Sequence, residues 1–183
     1  AREDGLISTK SDKVTPEFLA SIHYYGNSFR DITDWPQGTP ANEDVPRGDF
    51  GSARIEGETD RFVFSDINTV VNAFHYRNLV LMAEIAQVLA KEEDAEFFKQ
   101  RASQVYTSFN EVLLDKESGL YRDGEGVSHS SLHANMFPVA FGLAPSDKHE
   151  SLRDFLISKG MACSPYGAPY LMDALYALGA GDY

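Results

Sequence analysis

The connections between the predicted helices alternate between tight joins and long loops, and this alternation constrains the fold more than any other feature. A helix predicted over residues 68–90 joins the next through Lys91-Glu92, and a helix ending at Gly142 joins its successor through Ala144-Pro145-Ser146. Long loops follow Leu114 and fill residues 160–167. If paired helices stand side by side, the short joins fall at one end and the long loops at the other, where function collects. The pattern indicates an all-α fold, part of an α/α toroid.

Hydrophobic periodicity predicts two classes of helix. Segments 68–90, 131–142 and 168–178 are apolar on more than one face, which predicts inner helices, whereas segments 93–114 and 148–159 carry one apolar stripe, which predicts outer helices. We therefore expect the inner helices to be much more buried than the outer ones. A short helix is predicted from Pro16 to Tyr25 with Thr15 as its N-cap, and Asp66 is the predicted N-cap of the 68–90 helix. Other regular structure is limited to a short hairpin around residues 120–127.

Charge and composition exclude several kinds of partner. The net charge is −12 without a basic stripe, which argues against nucleic acid and anionic membranes. No apolar run of about 18 residues exists and no targeting signal is visible, so we expect a soluble protein that does not bind membranes, cytoplasmic or periplasmic in a bacterium. Cys163 is the single cysteine and is expected to be a buried spectator thiol. His129 and His133 lack an acidic third ligand nearby in sequence, so neither a metal nor a cofactor is predicted.

The two ends of the chain suggest a piece of something longer. Residues 1–15 are polar and without period, so we expect this stretch to be poorly ordered. The chain begins without Met and stops just past a helix. We therefore treat residues 1–183 as a single partial domain.

An ordered series of motifs runs along the chain. It begins with Arg30-Asp31-Ile32-Thr33-Asp34-Trp35-Pro36, Gly57-Glu58-Thr59-Asp60 and Asn68-Thr69-Val70-Val71-Asn72-Ala73-Phe74-His75-Tyr76. It continues with Glu84-Ile85-Ala86, Glu93-Asp94-Ala95, Ser131-Leu132-His133-Ala134-Asn135-Met136-Phe137-Pro138, Ala140-Phe141-Gly142-Leu143 and Tyr166-Gly167-Ala168-Pro169-Tyr170-Leu171. The series resembles glycoside hydrolase family 78, the α-L-rhamnosidases, over most of residues 28–180. The resemblance implies an (α/α)6 toroid, a terminal α-L-rhamnoside as ligand and hydrolysis with inversion.

The resemblance also implies that the catalytic carboxylates lie outside this chain. Inversion needs a general acid and a general base, spaced to admit a water. In the family the acid belongs to an Arg-Asp-Glu type motif well before the Asp-Trp motif, and the base follows the point where this chain stops. Neither is found here. The chain resembles the middle of the catalytic domain, about half a toroid, so the rest of that domain is an expected partner and no catalytic residue is assigned.

Four candidate sugar-binding residues precede the 68–90 helix. An indole can stack on the apolar face of a sugar, and the family's Trp in the motif matching Trp35 lines the sugar pocket; the alternative is a Trp that pins the long loop to the core. Asp34 either accepts hydrogen bonds from sugar hydroxyls or caps a local turn. Glu58 and Asp60 should face the loop end of the helices, although a solvated charge pair is the favoured interpretation.

Two further candidates lie next to later inner helices. His133 opens the 131–142 helix beside the loops, together with Asn135, and is a candidate ligand contact. Tyr166 lies in a Pro-Tyr-Gly turn, where closing the pocket and packing are equally open interpretations. His75 is interpreted as a core histidine bonded to neighbouring backbone or to Asn72.

Two other functions stay open at this point. Another α/α-toroid carbohydrate enzyme, a lyase or an isomerase, would need a His or Tyr base inside this segment. A non-catalytic helical module that binds glycans or another protein needs no such group. A paired Glu upstream and downstream in the parent reading frame would favour the rhamnosidase interpretation.

Overall fold

The computed structural model describes residues 1–8, 10–26, 34, 60 and 62–183. In these ranges the elements are α1 (Pro16–Ser21), α2 (Thr69–Val88), α3 (Glu92–Val112), α4 (Leu132–Ala140), a 3-10 turn (Ser146–Lys148), α5 (His149–Lys159) and α6 (Ala168–Ala177). The same ranges contain no strand, and two isolated antiparallel bridges, Asn68 with Gly124 and Leu114 with Tyr121, stand where a hairpin was expected. The fold is all-α, as predicted.

Helix α4 lies at the centre of the arrangement. It packs against α2, α5 and α6, whereas α3, among the described helices, packs only on α2. Aromatic rings join α2, α4 and α6. The Phe74 ring of α2 lies 4.9 Å, centroid to centroid, from both Phe137 and Phe141, and Tyr170 of α6 lies 5.0 Å from Phe137. Tilted and edge-on ring pairs of this kind add to the stability from burial alone. Helices α2, α4 and α6 therefore form an inner layer, and α3 and α5 an outer one.

Burial follows the predicted classes only for α4. Every residue of α4 from Leu132 to Val139 is buried. Helices α2 and α6 bury six of 20 and two of ten residues, against five of 21 in α3 and two of 11 in α5, so the prediction that they are much more buried is wrong for them. The reason is that α4 has helices on several sides, whereas α2 and α6 each leave an apolar face without a neighbouring helix in the described part. Met172 and Tyr176 of α6 are more than half exposed.

The hairpin of α2 and α3 projects beyond α4. Helices α2 and α4 begin at one level, because the Thr69 N–H donates to the Asp123 carbonyl and the Ser131 N–H to the Asp123 carboxylate. With 20 and 9 residues, their lengths are about 30 and 14 Å. Among the described helices, the far half of α2 therefore packs only on α3, through buried alanines, and the segment 81–89 exposes Leu81, Met82, Ile85, Val88 and Leu89. Although α2 exposes these apolar residues, none of the helices in the described ranges is long and apolar enough to cross a bilayer.

The N-terminal residues dock against this hairpin. Leu6 is fully buried, the Ile7 N–H donates to Asn72 Oδ1 at 2.8 Å, and Asn72 Nδ2 donates back to the Ile7 carbonyl at 3.0 Å. The Ser108 hydroxyl donates to the Asp4 carbonyl at 2.8 Å. Residues 1–8 therefore form an extended segment held to α2 and α3 by these hydrogen bonds, which explains their lack of helical period.

Candidate functional site

The long loops gather at the N-terminal ends of the inner helices. We call residues 62–68, 121–131 and 163–167 the rim loops; they precede α2, α4 and α6. Lys91 and Pro145 follow the C-terminal ends of α2 and α4, which begin at one level, so these short joins lie at the opposite end. We also expect the residues of the long loops, His129 among them, at this end, and the described ones, His129, His133 and Tyr166, lie in or next to the rim loops.

Asp34 joins three distant parts of the chain at the rim. Its Oδ2 lies 2.6 Å from Nε2 of His133 and accepts a hydrogen bond from the Ser164 N–H at 3.3 Å. Its Oδ1 accepts the Ser164 hydroxyl. Only 5% of the Asp34 side chain and 10% of the His133 side chain are exposed. Its described partners lie 99 and 130 residues along the chain, so Asp34 links distant segments, and the neighbours that would form a local turn lie outside the described residues.

The hydrogen bonds to Asp34 outweigh its burial. Burial raises the pKa of this carboxyl. The hydrogen bonds from His133 and Ser164 lower the pKa by more than burial raises it, so the net pKa lies below its usual value. Asp34 is consequently a carboxylate at neutral pH. The neighbouring loop approaches closely, since a Cβ at Gly167 would lie 2.8 Å from Asp34 Oδ2.

Asp60 is buried at the start of α4. Its Oδ2 accepts a hydrogen bond from the Leu132 N–H at 2.5 Å and lies 3.5 Å from Nζ of Lys159. Only 8% of its side chain is exposed, and Oδ1 is buried without a hydrogen-bond partner among the described residues. Because Leu132 is the first residue of α4, this carboxylate sits at the positive end of the helix dipole. The interpretation as a solvated charge is wrong for Asp60.

Asp123 is a third buried carboxylate, and sequence reasoning missed it. Its Oδ1 accepts from the Ser131 N–H at 2.8 Å, and its Oδ2 accepts from the Val63 N–H at 2.6 Å and lies 2.7 Å from Nδ1 of His129. Burial raises the pKa of Asp123 above its usual value, despite these donors. The glycine that follows Asp123 was the one sequence signal for a close contact here. A Cβ at Gly124 would lie 2.5 Å from the Ile67 carbonyl oxygen, so the rim loops 62–68 and 121–131 touch at this point.

The other candidates differ in their surroundings. Tyr166 lies in the same rim loop as Ser164. Its side chain is 86% exposed, so the interpretation of Tyr166 as a packing residue finds no support. Trp35 and Glu58 lie outside the described residues. Among the residues that are described, no three His, Cys, Asp or Glu side chains gather as a metal ion requires.

Asn135 and His75 hold the structure together. Asn135 is fully buried; its Oδ1 accepts from the Tyr121 N–H at 2.8 Å, and its Nδ2 donates to the carbonyls of Tyr121 and Ser131. Burial lowers the pKa of His75, and a hydrogen bond to the Gly5 backbone opposes that shift. Its backbone contact is with Gly5, which is distant in sequence, Asn72 bonds to other groups, and Nε2 of His75 is buried without a hydrogen-bond partner among the described residues.

The comparison with known families agrees with this architecture. The family model described as the bacterial alpha-L-rhamnosidase 6 hairpin glycosidase domain matches residues 17–183. The match runs from the second residue of α1 through α6 and covers all three rim loops. No curated protein matches the chain significantly. The chain therefore belongs to the six-hairpin glycosidase domain family of the bacterial α-L-rhamnosidases.

Proposed function

We propose that this chain forms part of the sugar pocket of an inverting glycoside hydrolase that releases terminal α-L-rhamnose from glycans or glycosides. The observation that carries the proposal is the convergence of Asp34, His133 and Ser164 at the rim of a domain of this glycosidase family. Loops placed on a rigid helical scaffold are where binding and catalytic groups collect. An acidic surface without a basic stripe also suits a neutral sugar better than an anionic ligand.

The proposed sugar-binding residues divide into those open to a ligand and those that hold the rim. Tyr166 is 86% exposed and offers a ring face and a hydroxyl. Asp34 and Asp60 have engaged carboxylates, so in this proposal they fix the rim backbone around the ligand. The full proposed set is Trp35, Asp34, Glu58, Asp60, His133 and Tyr166.

We place the catalytic pair outside this chain, in the remainder of its domain. An inverting enzyme needs two carboxyl groups about 6.5–9.5 Å apart with a water on the base. Asp34 and Asp123 are buried with both oxygens bonded to backbone, hydroxyl or imidazole donors. Asp60 is also buried and bonded through Oδ2, and only its Oδ1 is without a partner among the described residues, so these three do not form an open acid and base pair. The described residues also contain two hairpins, α2/α3 and α4/α5, and one further inner helix, α6. These features support a contribution of about half a toroid, with pocket walls rather than the acid and base.

A lyase or isomerase is less well supported. Such an enzyme would use a His or Tyr of this segment as its base, and His133 is the natural choice. However, Nε2 of His133 faces the Asp34 carboxylate at 2.6 Å and the side chain is 10% exposed. If this alternative held, His133→Ala would abolish the activity of the whole enzyme on a uronic acid or aldose substrate.

Hydrolysis of an aryl α-L-rhamnoside tests the proposal. The catalytic domain that contains this chain should release β-L-rhamnose first, detected by NMR, and Tyr166→Ala should raise its KM. The 183-residue chain alone should give no useful turnover, because general acid and base assistance contribute about 10² to 10⁴-fold each. Robust turnover by the chain alone would place the catalytic carboxylates within it, with Glu58 and Asp60 as the first candidates.

A further inference from the structure

His129 and Asp123 form a carboxylate–imidazole pair at the rim. The Nδ1 of His129 lies 2.7 Å from Asp123 Oδ2. The Asp123 side chain is fully buried, whereas 34% of the His129 side chain is exposed. His129 stands three residues before Leu132, the first residue of α4. The pair therefore joins a buried acid to an imidazole that is open to solvent beside the proposed pocket.

The surroundings of Asp123 define which ring nitrogen of His129 carries the proton. A carboxylate only accepts hydrogen bonds, and its other partners, the N–H groups of Val63 and Ser131, are both donors. Nδ1 must donate to this acceptor, because the opposite tautomer would set two lone pairs against each other at 2.7 Å. In neutral His129 the hydrogen-bond acceptor is then Nε2, on the side of the ring away from the carboxylate.

We propose that His129 contacts the bound carbohydrate, with Nε2 accepting a hydrogen bond from a sugar hydroxyl, and that Asp123 is the positioning residue that fixes this tautomer. The inference rests on the proposed function and adds a contact that the sugar-binding set above lacks. A neutral sugar presents many hydroxyl donors and no charge, so an oriented, uncharged acceptor suits it. The buried anion behind the ring keeps that acceptor in one orientation before the ligand arrives.

The tautomer can be measured without any substrate. In the 183-residue chain, ¹⁵N NMR of the imidazoles should show His129 with Nδ1 protonated and Nε2 unprotonated at a pH where the ring is neutral. Asp123→Asn should convert this single state into a mixture of both tautomers. A wild-type His129 protonated on Nε2 would overturn the proposal.

Two substitutions of His129 separate ligand contact from structural support. Asn places its amide nitrogen near the position of Nδ1, so His129→Asn keeps the bond to Asp123 and loses the atom at Nε2. Gln reaches the position of Nε2 and loses the bond to Asp123. In the catalytic domain acting on an aryl α-L-rhamnoside, His129→Asn should raise KM by about 2- to 10-fold, the effect of one neutral hydrogen bond. His129→Gln should keep KM closer to wild type and lower Tm instead.

His149→Asn provides the matched control, because His149 begins α5 at the opposite end of the helices. It should leave KM unchanged. If His129→Asn keeps the wild-type KM while His129→Gln only lowers Tm, the pair is structural and the proposal is overturned although the enzyme is active. A wild-type domain without rhamnosidase activity overturns the proposed function and the sugar contact with it, whereas the NMR result still reports on the Asp123–His129 pair.

Discussion

Gly167 has no room for a side chain, because a Cβ there would lie 2.8 Å from Asp34 Oδ2 and 3.0 Å from Cys163 Cβ. Gly167→Ala must therefore displace the carboxylate or the rim loop. We expect the free energy of unfolding, measured with urea, to fall by about 1–3 kcal/mol. Tyr166→Ala, at the exposed neighbouring position, should change it by less than about 0.5 kcal/mol. Equal stabilities of the two variants would contradict the contact between Asp34 and this loop.

The pH dependence of stability should report on Asp34. Its folded pKa lies below the usual 3.8. The ionised carboxylate therefore stabilises the fold above that usual value, and the contribution is lost as pH falls through the lowered folded pKa. Asp34→Asn cannot ionise and lacks this contribution. The Tm difference between wild type and Asp34→Asn should shrink as pH drops below about 4; a difference independent of pH in that range would speak against the interaction with His133 and Ser164.

Sequence reasoning located rim residues better than it named their partners. His133 and Tyr166 were placed correctly because they stand beside the starts of inner helices. The burial of Asp60 was missed because Leu132 and Lys159, which contact it, lie far along the chain. The same holds for Asp123, which Val63 reaches from 60 residues away. Such contacts depend on how the hairpins stack, which cannot be inferred from local sequence.

At the scale of elements, the N-cap of α4 should matter for the whole fold. The Ser131 hydroxyl accepts from the Ala134 N–H at 3.1 Å, in a residue that is fully buried. Ser131→Ala should lower the free energy of global unfolding by about 1 kcal/mol. The matched control is Thr15→Ala, which removes the cap of the six-residue α1, a helix without buried residues. Its effect on global unfolding should be small; equal losses would mean that α1 belongs to the cooperative core.

The helices themselves were largely predictable from periodicity, but their ends and their burial were less so. Thr15 caps α1 as predicted, whereas α2 is capped by Asn68 and the predicted cap, Asp66, pairs with Lys10 at 3.1 Å. Either residue type satisfies the chemistry of an N-cap, so only the path of the backbone decides between them. The breadth of an apolar face likewise shows how much of a helix could be buried. It does not show which other helices are present to bury it.

At the scale of the whole molecule, connection length predicted the arrangement correctly. Short joins require antiparallel neighbours, and this alone put the long loops at one end, where the structure has the rim loops. The projection of the α2/α3 hairpin could not be predicted in the same way. It depends on the difference between 20 residues in α2 and nine in α4 and on the parallel start of both helices at Asp123. The difference in helix length can be predicted from the sequence, but the common starting level of the two helices is a tertiary contact.

The projecting hairpin should make the 183-residue chain self-associate. Ile85 and Val88 are 51% and 86% exposed on the far half of α2, and contiguous exposed apolar surface drives association. Val88→Lys should reduce association, measured by sedimentation velocity over a range of concentrations. Lysine suits the last turn of a helix, so α2 should remain folded. Tyr166→Lys adds the same charge at an equally exposed position at the rim and should leave association unchanged; equal effects at both ends would attribute association to net charge rather than to this hairpin.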